Sequence, residues 1–419
     1  MLKIPVIKSD FTRNVVKLFS GTAFAHVATF IATPILTRLF TKENLGDWQI
    51  FISTITTFGV IASLKYEMAI VLPKEDREGN DLALLSLLAL LLFSVLFSMV
   101  LLFLGPDLLH WMNADSLQPF LHYIALGVFL FGLWQAVQYI LVRRKRFGVL
   151  ALNKVVQVAS TQVLAVLFGV FWTSSQALLI AQVLGYLLAS VIILRMHLVV
   201  YKTRLADLWR LAKQYRKFPT INTSMVFLNT LSLQLPVFML SRFFGPEIVA
   251  LYSMADRIVN IPLFMVGRSV QQVYFASASE AMHNSKEALI GVYKSTVQKL
   301  ALFAVIPLLF ILLLGPQFAS LYFGSDFAEA GVYMQIITFW MFFRFINSPI
   351  SSTFSIINRQ EVGFYLIAAS LILRLLAMFI FNQTPRSMLL ALSITAGLFY
   401  LFYNISIYYF IKHAEDYDQ

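Results

Sequence analysis

The sequence contains no cysteine. That excludes a disulfide framework and a thiolate metal site, and it leaves the compartment unreadable from redox chemistry. Charge is scarce as well. Asp, Glu, Lys and Arg make up 13% of the 419 residues, about half the share of an ordinary soluble domain. Carboxylates are the rarer sign, 21 against 32 basic groups, for a net charge of +11. The single D-x-D, Asp416-Tyr-Asp418, lies in the terminal tail, and no nucleophile–base pair or metal-ligand spacing occurs elsewhere. The sequence therefore reads as that of a non-enzyme with no cofactor and no metal.

What is present is apolar. Hydrophobic residues make up 59% of the chain and the mean hydropathy is +0.76, values that place it in a bilayer. Twelve spans are expected, near 15–38, 48–70, 82–104, 120–142, 150–172, 177–199, 219–243, 248–276, 300–323, 330–356, 362–382 and 388–411. Lipid offers backbone groups no partner, so each must be helical. The first follows a basic start (Lys3, Lys8, Arg13, Lys17) without a cleavage-type small-residue site, and reads as a retained span.

Basic residues set the orientation. With the N-terminus inside, 24 of the 32 fall on the cytoplasmic side and only Arg38, Lys42, Arg242 and Arg386 fall outside. The other four, Arg257, Arg268, Arg344 and Arg374, lie inside spans. Both termini are thus expected in the cytoplasm. The basic balance is topological and calls for no nucleic-acid partner. The longest outer loop expected, 105–119, is too short for the soluble domain of a polytopic glycosyltransferase or polymerase.

The chain repeats itself. Leu36–Glu43 (LTRLFTKE) aligns with Leu240–Glu247 (LSRFFGPE), and Leu104-Gly-Pro106 aligns with Leu314-Gly-Pro316. Arg143 and Gly148 match Asn358 and Gly363 more loosely. Each anchor holds the same place in a six-span count, which predicts two six-helix bundles in parallel orientation. The expected organisation is a lobe over 1–200, a basic amphipathic linker helix over 201–218 and a second lobe over 219–419. The linker, YKTRLADLWRLAKQYRKF, either rests on anionic headgroups or simply satisfies the charge rule.

Residues Gly245–Glu280 form the most unusual stretch. On a continuous helix Ser253, Arg257, Asn260, Arg268 and Gln271 share one stripe, with apolar residues around the rest. A charge facing lipid at mid-helix costs about 2.5–3.5 kcal/mol, so the stripe faces protein or water. Two readings stay open: Arg257 and Arg268 pair with carboxylates such as Asp256, or they line a cavity for an anionic substrate. Other polar positions inside spans are Asn222 and Asn229 in the seventh, Arg344 and Asn347 in the tenth, and Arg374 in the eleventh. His26 in the first span and Asp256 in the eighth are the candidates for ion coupling, although a hydrogen-bonded structural histidine is the plainer reading of His26.

Lys65-Tyr-Glu67, Ala69-Ile-Val-Leu-Pro-Lys74, Arg216-Lys-Phe-Pro219, Gln234-Leu-Pro236, Phe244-Gly-Pro-Glu247, Ala255-Asp-Arg257, Pro262 and Ser279-Glu280 carry a resemblance. Over essentially its whole length the chain resembles the Wzx-like lipid-linked oligosaccharide flippases of the multidrug/oligosaccharidyl-lipid/polysaccharide exporter superfamily. The resemblance implies an all-α polytopic protein with two lobes around a central cavity, lined by spans 1, 2, 7 and 8. It implies export of an undecaprenyl-diphosphate-linked oligosaccharide across the bacterial inner membrane by alternating access. It further implies a monomer in contact with membrane lipids, working beside polysaccharide polymerase and assembly proteins. Arg257, Arg268, Arg344, Lys65 and Arg374 would then be cavity cations, and Ser253, Asn222, Asn229, Asn260, Gln271 and Asn347 its polar lining. The halves are not equivalent, because Ser53 stands where the repeat places Arg257. A drug/cation antiporter of the same superfamily is the main alternative, but it would favour intramembrane carboxylates over arginines. Asp76-Arg-Glu-Gly79 resembles the second-loop motif of major-facilitator transporters, but Asn80 and Asp81 follow where basic residues belong.

Overall fold

A computed structural model describes residues 10–197 and 203–413, with side chains described except at 10–20, 22, 195–197, 262–269 and 272. The described residues form α-helices joined by short turns, with no strand among them. In chain order these are α1 (Asp10–Leu39), α2 (Lys42–Gly59), α3 (Tyr66–Ala69), α4 (Asp76–Trp111), α5 (Leu121–Arg143) and α6 (Phe147–Phe171). They continue with α7 (Ser175–His197), α8 (Leu205–Gln214), α9 (Thr223–Phe244), α10 (Pro246–Val259) and α11 (Ile261–Asn284). The last are α12 (Lys286–Phe323), α13 (Ala328–Ile350), α14 (Thr353–Ile356), α15 (Gln360–Ile380) and α16 (Pro385–Lys412). Among the described residues eight helical segments are long and apolar enough to cross a bilayer, those of α4, α5, α6, α7, α9, α12, α15 and α16. The chain is a multi-pass membrane protein. The remaining expected spans fall on α1, α2–α3, α10–α11 and α13–α14.

Three of these depart from a single straight helix, the tenth span giving way at Ser351 and Ser352 between α13 and α14. The second span ends at Gly59 and resumes only at Tyr66, because Leu64 (φ 52°) and Lys65 (φ 59°) are both left-handed, a conformation that no helix interior accepts. The eighth span is α10 and α11, broken at Asn260. Pro262 has no N–H to return to the carbonyl of Ile258, so the ladder lapses there. The single stripe drawn over Gly245–Glu280 therefore holds only as far as Asn260. The loop expected over 105–119 is also more ordered: α4 continues through Pro106 to Trp111, and a 3-10 turn follows over Asp115–Phe120.

The chain packs as two compact units that divide between Ala250 and Leu251. In the first, α6 packs between α1 and α7, and α2 lies against α5, α7 and α9. Gly46 is required on α2, since a Cβ there would lie 1.8 Å from the carbonyl oxygen of Pro246. Amphipathic α8 lays Leu208 and Leu211 inward on α4, tied by Arg210 to Glu78 at 2.9 Å, and leaves Leu205 and Trp209 exposed. In the second unit α13 packs on α12 and α16, with a core of Tyr274, Leu289, Tyr293, Phe345, Ile350, Phe354 and Tyr403. Gly315 and Gly331 face each other, and a Cβ on Gly331 would lie 2.3 Å from the Gly315 carbonyl, so α12 and α13 touch backbone to backbone.

Each half carries the same local devices. The Gly-Pro pairs sit near the ends of the two longest helices, α4 with 36 residues and α12 with 38. Lys145 after α5 and Asn358 after α14 each take φ 53°, and each is followed by a 6→1 hydrogen bond, Arg146 N to Leu141 O and Arg359 N to Phe354 O. This is one helix-ending turn used twice.

Candidate functional site

The densest group of interior polar side chains lies in the second unit, where the end of α10 meets α13. Helical spacing sets Ser253, Asp256, Arg257 and Asn260 within two turns of α10. Ser253 and Asn260 are each 5% exposed, while Asp256 and Arg257 are half-buried. Asn260 donates Nδ2 to the Asp256 carbonyl at 2.8 Å, occupying the backbone at the break. Its Oδ1 accepts from Arg344 Nη1 of α13 at 3.3 Å. Arg344 and Arg257 both lie close enough to act on the Asp256 carboxylate. Arg344 thus joins Arg257 beside Asp256, an arginine that the sequence placed in another span. Tyr322 is the neighbour that Arg257 feels most strongly after its own burial.

One turn along α13, Asn347 donates to Asn404 Oδ1 of α16 at 2.8 Å, both side chains largely buried. The guanidinium of Arg344 lies 5.8 Å from the centre of the Trp340 ring. Arg374 of α15 shares that indole at 5.5 Å and packs on Phe399 and Tyr400 of α16 at 5.5 and 5.3 Å. A groove of about 380 Å³ runs past Phe339 and Ser393 between α13 and α16.

The structure therefore brings Ser253, Asp256, Arg257, Asn260, Arg344 and Asn347 together. It does not treat all the expected cations alike. Lys65, in the first unit, is 5% exposed and bonds Glu67 Oε1 at 2.9 Å, while Ser63 donates to the other oxygen of that carboxylate. Gln271 is half-buried on α11, and the Arg268 side chain lies outside the described residues. Asn222 is half-buried in a π-helical turn before α9, Asn229 is exposed on α9, and His26 is exposed on α1. Ser53, the repeat counterpart of Arg257, is fully buried and donates to Gln234 at 2.8 Å.

Sequence reasoning missed Glu67, Trp340 and Asn404. Positions i and i+2 do not face each other on a helix, so nothing in Lys65-Tyr-Glu67 signals the pair that the left-handed turn creates. Trp340 is one of 45 Phe and Trp residues in the chain, and its place between two arginines has no local signature.

A family model described as "Polysaccharide biosynthesis protein" matches residues 35–331. The chain belongs to that family. The match takes in Lys65, the α10 polar group and Arg268, and stops at the start of α13. The chain is 21% identical to the teichuronic acid biosynthesis protein TuaB of Bacillus subtilis (strain 168) over 325 residues. That alignment covers 75% of this chain and 65% of the relative's own length. In fold it is similar to an inward-facing multidrug resistance MATE family transporter of the MOP superfamily (TM-score 0.76, 18% identity, 94% of this chain and 96% of that one). It is equally similar to the lipid II flippase MurJ in an inward closed conformation (TM-score 0.77, 15% identity, 93% and 87%). The fold is thus one shared with those membrane transporters.

Proposed function

We propose that the protein is a flippase that moves an undecaprenyl-diphosphate-linked oligosaccharide from the cytoplasmic to the periplasmic leaflet of a bacterial inner membrane, by alternating access. Twelve spans with both termini inside, a monomeric state and work beside polymerase and assembly proteins complete the reading. Family membership supports a role in polysaccharide assembly, and the fold supports transport. The observation that carries the substrate's sign is the α10–α13 group, where two arginines, Arg257 and Arg344, lie around a single carboxylate, Asp256. A diphosphate in a low-dielectric site needs cationic donors, and arginine offers several N–H groups in a fixed fork. Arg257, Arg268 and Arg344 meet the diphosphate, while Ser253, Asn260 and Gln271 exchange hydrogen bonds with sugar hydroxyls. Lys65, held by Glu67, and Arg374, closed in by rings, are assigned to the fold. The same charge balance disfavours the drug/cation antiporter.

The test is complementation of a gene deletion in the protein's own host. Arg344→Ala or Arg257→Ala abolishes surface polysaccharide at normal protein level. Arg344→Lys retains part of it, since charge survives and the fork is lost. The neutral pair Asp256→Asn/Arg344→Gln removes both charges together, so that neither is left without its neighbour. Full export by that variant would make Arg344 a structural partner only and overturn the diphosphate reading.

A further inference from the structure

Arg374 poses a separate question. It is 5% exposed in the middle of α15, and among the described residues it has no carboxylate and no hydrogen-bond acceptor. Its Nε is sealed from solvent without a partner. Two further donors nearby are in the same condition. Ser370, one turn earlier on the same face of α15, has a buried hydroxyl with no partner, and Trp340, whose ring the guanidinium covers, has a buried indole N–H with none. Buried polar atoms in folded proteins are nearly always satisfied, and three orphans on one side chain's surroundings mark a place where something is held.

The charge says what kind of thing. Asp256 is offset by Arg344 and Arg257, which act on it more directly than Arg374 does. The rings of Trp340, Phe399 and Tyr400 attract the guanidinium through their quadrupoles, but they are neutral and accept no hydrogen bond along the edge of the fork. A water molecule satisfies donors and leaves the charge uncompensated. A small anion does both. Ser370, Arg374 and Trp340 are 3%, 5% and 4% exposed, so these donors are closed off from solvent, which suits an ion of one atom better than a lipid headgroup or a sugar.

We propose that Arg374, Trp340 and Ser370 form a binding site for a small inorganic monovalent anion of chloride size, resident between α13, α15 and α16 of the second unit. It is distinct from the α10–α13 group and does not depend on the substrate assigned above. The anion compensates Arg374 and accepts from the indole N–H and the serine hydroxyl, bracing three helices at their centre.

The experiment uses the purified full chain in detergent, prepared in sodium gluconate, with sodium chloride replacing gluconate at constant ionic strength. Chloride raises the unfolding temperature by roughly 2–4 °C and the rise saturates. Chloride-35 NMR lines broaden in the presence of protein, and excess bromide, competing for the site, narrows them. Arg374→Gln loses both effects. Trp340→Phe keeps a ring under the guanidinium but removes the N–H, and weakens chloride roughly tenfold. Ser370→Ala weakens it in the same direction. If Arg374→Gln does not fold, the wild-type line width and the Trp340→Phe and Ser370→Ala titrations decide the matter. No chloride response in the wild-type protein, or an equal response in all the variants that fold, overturns the site. Export measurements play no part, so this test fails or succeeds independently of the flippase reading.

Discussion

At the scale of single residues, the interior charges divide by how they are satisfied. Lys65 and Glu67 form a closed pair: the carboxylate is fully buried and takes bonds from Lys65 and Ser63. Removing one member of such a pair leaves an uncompensated buried charge, which costs on the order of 3–5 kcal/mol, whereas replacing both with apolar groups is often neutral. Glu67→Gln should therefore lower the denaturation midpoint of the detergent-purified protein sharply, and Lys65→Met/Glu67→Leu should recover most of the loss. If Glu67→Gln were as stable as the parent yet failed in export, Lys65 would belong with the substrate cations after all. Arg344 behaves differently. It reaches Asn260 through one long bond of 3.3 Å and keeps donors to spare, which suits a group that exchanges partners as a ligand passes.

At the scale of elements, Arg143 at the end of α5 fastens the turn between α3 and α4. Its Nη1 donates to the carbonyls of Ile70 and Pro73 at 2.7 and 2.9 Å, and its Nη2 to the Glu75 carbonyl at 2.7 Å and to Asp76 at 3.1 Å. A planar fork with five N–H groups can serve such a set, and an ammonium cannot. Gly79 makes room for it, since a Cβ there would lie 2.4 Å from Arg143 Cζ. Arg143→Lys and Gly79→Leu should both free this turn, read as faster trypsin cleavage after Lys74 and Arg77 in inside-out vesicles. Unchanged cleavage in both would mean that the turn holds without the staple. Such devices were only partly legible. The paired Leu-Gly-Pro motifs located corresponding points on α4 and α12, because a Gly-Pro pair leaves a mark in any sequence. Pro262 stands just past the break at Asn260, but hydropathy runs through it, and the stretch reads as a single continuous helix. Arg143 read only as one of a basic cluster, because its acceptors are backbone carbonyls, which no sequence displays. The Asn347–Asn404 bond joins residues far apart in the chain, and either asparagine alone is simply a polar group in an apolar span.

At the scale of the whole molecule, charge distribution determines how the chain threads the bilayer. Four basic residues lie outside and twenty-four inside on the proposed threading, and each Lys or Arg forced into the bilayer centre costs about 2.5–3.5 kcal/mol during insertion. The ends of the helices differ in their charge. Arg146 follows the left-handed turn after α5, Tyr215 follows α8, and Lys286 begins α12, all in basic surroundings. Trp111 ends α4, Thr173 lies between α6 and α7, and Asp326 lies in the turn between α12 and α13, in stretches nearly free of Lys and Arg. Reporters that require the periplasm should thus be active when fused after Trp111, Thr173 or Asp326, and silent after Arg146, Tyr215 or Lys286. The fusion after Tyr215 is the most exacting. It follows α8, where Leu205 and Trp209 face outward beside Arg204, Lys213 and Arg216 and suit an anionic leaflet. Six crossings must precede it for that surface to be cytoplasmic. Activity there would mean an odd number of crossings before α8, and the pairing of the two six-span halves would fall with it.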